Sequence, residues 1–414
     1  MKILKFKGSK SLINRVLTIS FFLKEPLKLH NINMCEDVKT MVENLSKLGM
    51  RFEVKNDIMT IYPPYKFPEN ADLFVQDAGT AMRFLTVLLA SFPTGSFTID
   101  ASEQLRKRPQ QPLLDVLGEM GTEIDSPAFP IKLSSHGLKG GNITMPSSVS
   151  SQFVSALMLC APMYKEDLQI ELPGEVVSRK YIELTNQVMK DFGVKVFFEK
   201  NFVRIAKGQK YCNVTDYFVE PDFSSASYFW ALAALSDKPV CTINTASSQP
   251  DKEFINVLKT IGADVMISEN EISIKRNKLS GITADMKNMP DQVPTLAVLA
   301  LLLDSETVIK NVKHLKYKES DRISAIVTEI TKMGGNIKYD DGNLIIQPLS
   351  TKPINCEIET YNDHRIVMAF SMLQVVFPYL RLSSVIPMAK SYPGFIADLT
   401  EISLILDIKN PHIN

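Results

Sequence analysis

The 414-residue sequence has no net charge, because 46 Lys and Arg are matched by 46 Asp and Glu. That balance excludes the broadly basic surface that non-specific binding to nucleic acid or acidic membranes requires, so any cationic site must be a local cluster in a neutral whole. Cysteine is scarce and scattered. Cys35, Cys160, Cys212, Cys241 and Cys356 form no Cys-x-x-Cys pair, which argues against a zinc site or a disulfide framework and suits a reducing compartment. Histidine is equally dispersed, at positions 30, 136, 314, 364 and 412, and no two share metal-ligand spacing. The apolar run Leu296–Leu303 falls far short of the roughly 20 residues of a membrane span. Lys2, Lys5, Lys7 and Lys10 before the run Val16–Leu23 imitate a signal peptide, but Lys24-Glu25-Pro26 follow with no small-x-small cleavage site. Gly-x-Ser-x-Gly and Gly-x-Gly-x-x-Gly are both missing, which leaves hydrolase-elbow and dinucleotide readings without support. The expectation is a soluble, cytoplasmic protein with no metal, nucleic-acid or membrane partner.

What is present is an ordinary globular composition, 45% hydrophobic and 22% charged, long enough for two or three domains. It also has a hidden period. Five amphipathic stretches end in an apolar residue and glycine, at Gly49, Gly121, Gly193, Gly262 and Gly334, and alternating apolar residues follow each. The spacings are 72, 72, 69 and 72 residues. Each junction reads as a helix stopped by a left-handed glycine, then a half-buried strand. A sixth unit would end near residue 406, where Ala397–Leu406 has a helical pattern. Six α/β units of roughly 70 residues, grouped three and three, predict an α/β protein of two similar domains with a cleft between them. The crossing point is expected near Val219–Asp222, where a new helix starts at Phe223-Ser224-Ser225-Ala226.

Six segments carry chemistry. Gly8-Ser9-Lys10-Ser11…Asn14-Arg15 is a small-residue loop running into a helix, an anion site by its N–H groups and cations, or simply a capped helix. It is not a P-loop, since Ser9 and Leu4 stand where that motif needs glycines. Asp77-Ala78-Gly79-Thr80-Ala81-Met82-Arg83 opens another apolar helix, and Arg106-Lys107-Arg108 precede Pro109, which predicts a helix start there. Ser147-Ser148-Val149-Ser150-Ser151-Gln152 holds more hydroxyls than one cap uses, and Ser178 with Tyr181 is a fainter case. Lys318-Glu319-Ser320-Asp321-Arg322 alternates charge at a helix start, which in isolation describes an exposed salt-bridged turn. Asn362-Asp363-His364-Arg365 and Lys390 in Ala389-Lys390-Ser391-Tyr392-Pro393 complete the set.

In this order and at these distances the segments resemble the 5-enolpyruvylshikimate-3-phosphate synthase family, from Lys10 to beyond Lys390. The resemblance implies an inside-out α/β barrel in each domain, an N-terminal lobe of residues 9–220, and a C-terminal lobe of residues 1–8 plus 221–414. It implies transfer of the enolpyruvyl group of phosphoenolpyruvate to the 5-hydroxyl of shikimate-3-phosphate, by a monomer with no cofactor and an active site in the interdomain cleft. Shikimate-3-phosphate would be held by Lys10, Ser11, Arg15, Ser150, Ser151, Gln152, Ser178, Tyr181, Asp291, His314 and Lys318. Phosphoenolpyruvate would lie against Lys10, Asp77, Gly79, Arg108, Gln152, Arg322, Arg365 and Lys390. The catalytic set would be Asp291 as general base, with Glu319 and Lys10 moving protons at the methylene carbon in an order left open. The two substrates bring roughly −5 to −6 in charge, phosphates at about −1.5 to −2 each and the rest carboxylates, against seven implied cations. Two positions depart from the family pattern: Asp77 and His314 stand where Asn is usual. UDP-N-acetylglucosamine enolpyruvyl transferase is the rival enzyme, but it carries Lys-Asn at Lys10-Ser11 and a loop cysteine for which the stretch between Cys35 and Cys160 offers no candidate. A catalytically dead homologue is the remaining alternative, and it would be marked by loss of Asp291 or Glu319. Gly79 leaves space for a phosphonate analogue, so inhibition by glyphosate is expected.

Overall fold

A glycine that must adopt positive φ is the clearest helix-stop a sequence can write. The structure, a computed structural model, describes residues 3–146, 150–174, 176–199 and 201–408. Gly49, Gly121, Gly193, Gly262 and Gly334 all have φ between 82° and 105°. Each stop closes with the same two bonds. The glycine N–H donates three residues back, and the next N–H donates five back, as in Gly49 to Ser46 and Met50 to Leu45 at 3.0 and 3.2 Å. The period in the sequence is therefore a period in the backbone.

The chain forms two units, Lys7–Glu220 and Met1–Phe6 plus Pro221–Asn414, passing between them at Phe6–Lys7 and at Glu220–Pro221. Each repeat runs strand, inner helix, parallel strand, outer helix, then two antiparallel strands. In one example Asn70–Phe74 pairs in parallel with Gly95–Asp100, the helix Gly79–Ala90 lies between them in sequence, and Gln111–Glu119 leads to Glu123–Ser126 and Ile131–Ser135. Five four-stranded sheets share this order. The sixth is reduced among the described residues to Glu357–Ile358 beside Arg381–Leu382, and its outer helix is Phe395–Ser403.

Both units borrow a strand from far away in sequence. Asp216–Phe218 pairs with Leu27–His30, closing Lys7–Glu220 end to end. Ile3–Leu4 pairs with Val240–Ile243, so the first strand of the chain belongs to the second unit.

Helix composition sorts the layers. Helices apolar all round are buried on every face, and amphipathic ones lie at the surface. Phe223–Ala234 and Val293–Ala300 are buried at every residue, and Gly79–Ala90 and Ser151–Cys160 nearly so. With Lys10–Ser20 and His364–Val376 they form the inner set. Glu36–Lys47, Arg179–Asp191 and Arg322–Lys332 belong to the outer set, burying only one stripe each. Two apolar clusters result, one per unit. Among the described residues no helix is long and apolar enough to cross a membrane.

Candidate active site

Most candidate site residues lie at or beside helix starts: Lys10, Gly79, Ser151 and Arg365 at inner helices, Ser178 and Arg322 at outer ones. A helix N-terminus offers unpaired N–H groups and a positive dipole end, so anions are favoured at each start.

In the unit Lys7–Glu220, Lys10 opens the helix Lys10–Ser20, and its Nζ donates to Asp37 Oδ2 at 2.9 Å. One turn on, Arg15 is buried, 3% exposed, and donates only to neutral groups in the bonds resolved for it. These are Thr185 Oγ1 at 2.8 Å, the Ser11 carbonyl at 2.7 Å, the Tyr181 carbonyl at 3.0 Å and Ser155 Oγ at 3.4 Å. Burial, against a favourable Tyr181, pushes its pKa down to about 10. Ser11 and Tyr181 thus meet at one guanidinium, 170 residues apart in sequence. Ser178 stands just before Arg179–Asp191 with φ 56°, a left-handed conformation that is uncommon and costly for serine.

Helix Gly79–Ala90 starts at the glycine itself, and helix Ser151–Cys160 starts after Ser150, whose hydroxyl accepts from the Gln152 N–H. Gln152 Nε2 donates to Thr80 Oγ1 at 3.1 Å, tying these two helix mouths together. Ser147 and Ser148 lie outside the described residues. Asp77 accepts from Ser102 Oγ, which answers how a carboxylate is tolerated beside the Gly79 turn. A side chain at Gly79 would collide with the Arg108 guanidinium and lie 2.6 Å from Arg83 Nη1. Arg108 itself precedes a helix that starts at Gln111 with Pro112 in its first turn, so the helix start expected at Pro109 is corrected by two residues. The short helix Glu103–Arg106 takes up the preceding chain.

In the other unit a single guanidinium organises the site. Arg322, 1% exposed, opens the helix Arg322–Lys332 that Asp321 caps. Its Nη1 donates to Asp291 Oδ1 at 2.8 Å and Nη2 to Glu319 Oε2 at 2.7 Å. Nε and Nη2 grip Asp363 at 2.8 and 3.2 Å. The charged turn is salt-bridged as its sequence describes, with Asp321 exposed and Lys318, Glu319 and Ser320 half-buried, but its last cation, Arg322, is buried rather than at the surface. Arg365 donates to the other Asp291 oxygen at 2.9 Å and to Tyr228 Oη at 3.2 Å, while its Nε has no hydrogen-bond partner among the described residues. Lys390 Nζ lies 4.0 Å from Glu319. Burial pushes the Asp291 carboxyl up, but Arg365, then Arg322 and Lys318, outweigh it and hold it well below the usual carboxylate range. Burial works against the Arg322 charge too, and is overcome by Asp363, Glu319 and Asp291.

His314 sits nearby, 5% exposed, with no partner for Nε2 among the described residues. Burial first, then Lys318 and Arg322 against a favourable Asp291, push its pKa down to about 3. It is neutral in the fold. Because the unfolded imidazole titrates near 6.5, protons favour the unfolded chain as pH falls from about 6.5 towards 3, and stability is lost through that window. The expected slope contribution is up to about 1.4 kcal/mol per pH unit, and His314→Gln should flatten the fall of Tm between pH 6.5 and 4. Parallel Tm–pH curves for the two proteins would contradict this.

Three partners, Asp37, Thr185 and Tyr228, have no local signal in the sequence and stand 27, 170 and 137 residues from the cations they hold. Asp363, 41 residues from Arg322, has one, the polar quartet Asn362–Arg365.

The family model for EPSP synthase (3-phosphoshikimate 1-carboxyvinyltransferase) matches residues 1–399. The chain belongs to the EPSP synthase family. Among curated relatives, the 3-phosphoshikimate 1-carboxyvinyltransferase of Actinobacillus pleuropneumoniae serotype 5b (strain L20) is 34% identical over 410 residues, covering 96% of this chain and 95% of the relative. That of Histophilus somni is 36% identical over 411 residues with the same coverage. An EPSP synthase structure from Acinetobacter baumannii superposes with a TM-score of 0.80 at 24% identity, over 99% of this chain and 96% of that one, which supports the fold alone. The repeated α/β units thus agree with the architecture of that structure.

Proposed function

We infer that this chain transfers the enolpyruvyl group of phosphoenolpyruvate to the 5-hydroxyl of shikimate-3-phosphate, releasing phosphate, as its place in the EPSP synthase family indicates. The observation that carries the reading down to residues is the Asp291 carboxylate, held at both oxygens by two buried arginines. Those guanidinium forks match a substrate's carboxylate and phosphate. On binding, substrate anions would take over part of the arginine donors, raising the Asp291 pKa and freeing it to act as a base. Asp291 would then accept the 5-hydroxyl proton while the oxygen attacks C2 of phosphoenolpyruvate. The methylene carbon gains a proton as the adduct forms and loses one as phosphate leaves with C–O cleavage. Glu319, between Arg322 and Lys390, and Lys10, beside Asp37, are the groups for these transfers. Arg15 supports the shikimate-3-phosphate assignment, since a buried cation among neutral acceptors is relieved by an incoming anion.

Residues 9–220 would serve mainly shikimate-3-phosphate, and the remainder would supply the base and most phosphoenolpyruvate ligands. The protein is read as a cytoplasmic monomer. The decisive assay is inorganic phosphate release with both substrates, against controls that omit shikimate-3-phosphate or replace it with UDP-N-acetylglucosamine. Release only with the latter would overturn the reading.

Gly79→Ala tests the anion pocket. The added methyl meets the guanidinium ends of Arg108 and Arg83, not backbone, so folding should survive while the Arg108 guanidinium shifts. The expected result is a KM for phosphoenolpyruvate raised by about tenfold, about 1.4 kcal/mol, with little change in Tm. Glyphosate, whose phosphonate would use the same space, should inhibit the parent protein and bind the variant less well. An unchanged KM would place Gly79 outside the pocket.

A further inference from the structure

Arg322 depends on a turn that lies outside the proposed site. Asp363, fully buried, grips it from the end of the segment Glu359–Asp363 and also accepts from Ser320 Oγ at 3.0 Å and the Arg365 N–H at 2.9 Å. Immediately before Asp363, two consecutive non-glycine residues are left-handed: Tyr361 at φ 53° and Asn362 at φ 49°. Such a pair is costly and persists only where its surroundings over-determine it.

The restraints on this turn are hydrogen bonds accepted by Glu329 and Glu359. Glu329, 1% exposed, lies two turns along the same helix that Arg322 opens. Its Oε1 accepts from Tyr361 Oη at 2.7 Å and its Oε2 from the Glu359 N–H at 3.0 Å, and Lys332 balances its charge. Glu359 Oε1 in turn accepts from the Thr360 and Tyr361 N–H groups at 2.8 and 3.0 Å and from Ser383 Oγ at 3.0 Å. The ring closes on itself: Arg322, its own helix, Glu329, Tyr361, Asp363, Arg322. Neither Glu329 nor Tyr361 meets Arg322 in these contacts, and neither figures in the proposed chemistry.

We propose that Glu329 and Tyr361 are positioning residues for the phosphoenolpyruvate-binding arginines, pinning the left-handed turn so that Asp363 presents Arg322 and the first turn of the next helix presents Arg365. The proposal rests on the transfer reading for its kinetic consequences. A guanidinium that loses this support keeps its charge but not its angle, and angle is what bidentate recognition needs.

The test compares Tyr361→Phe, Glu329→Ala and the double variant with the parent protein, at a temperature where Tm shows each is folded. The kcat/KM for phosphoenolpyruvate should fall about 10- to 100-fold in either single variant. Affinity for shikimate-3-phosphate alone should stay within about twofold, because most of its proposed ligands lie in the unit Lys7–Glu220. The double variant should lose no more than Glu329→Ala alone, since the phenol acts through that carboxylate. Amide exchange at Asp363, His364 and Arg365 should quicken in both. Folded single variants with kcat, KM and exchange all within twofold of the parent would overturn the proposal and leave Glu329 a stability residue. If the parent releases no phosphate, the transfer reading fails instead, and the exchange comparison still decides the positioning claim. If Glu329→Ala does not fold, Tyr361→Phe, which removes one oxygen atom, decides it alone.

Discussion

Asp291→Asn is expected to bind shikimate-3-phosphate about as well as the parent protein and to turn over about 10³-fold more slowly. The size follows from what a positioned base contributes, 10²- to 10⁴-fold. The amide keeps one acceptor for Arg322 or Arg365 but cannot receive a proton, and it leaves one guanidinium facing an N–H₂ group. A base whose pKa is held down by two arginines is weak until those arginines are engaged elsewhere. The variant therefore separates two roles, since anion binding survives it and proton removal does not. Measuring phosphate release under saturating substrates, with shikimate-3-phosphate affinity by calorimetry, checks both. Release at the parent rate would remove Asp291 from the mechanism.

Arg322→Ala should be the most damaging single change in both stability and activity. It takes the guanidinium from Asp363, which is fully buried, and leaves Asp291 to Arg365 and Glu319 to Lys390. Breaking a buried pair on one side costs about 3–5 kcal/mol, because the remaining charge has lost both water and partner. For a unit of this size that is a fall in Tm of about 6–20 °C. Arg322→Lys is the informative companion. It restores a charge and should recover much of the stability, yet one ammonium cannot fork onto Asp363 while also reaching Asp291 and Glu319, so phosphoenolpyruvate turnover should stay at least tenfold down. If the lysine variant matched the parent in turnover, the bidentate geometry would be irrelevant to the chemistry.

The two variants probe opposite ends of one arrangement. Asp291 is the acid that two arginines hold, and Arg322 is the cation that three acids hold. With Lys390 close to Glu319, the cluster alternates in sign, which is why such a density of charge is tolerated away from water. An anionic substrate entering it would displace carboxylates from guanidinium donors, so binding and activation of the base would be one event.

The glycine period, the count of repeats, the all-apolar inner helices and the polar residues at their mouths were legible in the chain itself. Each is local: a left-handed stop, a hydrophobic period or a cap is decided within about five residues of backbone. The one misread start, at Pro109, was also local, because a proline suits both the residue before a helix and its first turn. Tertiary structure decided what each cation faces. Lys318 to Arg322 has the look of a surface turn until Asp363, from another repeat, is brought against it. Arg15 has the look of a free ligand until Thr185 and Tyr181 are placed beside it. Burial and charge pairing depend on residues 27 to 170 positions away, which only the folding of each unit brings together.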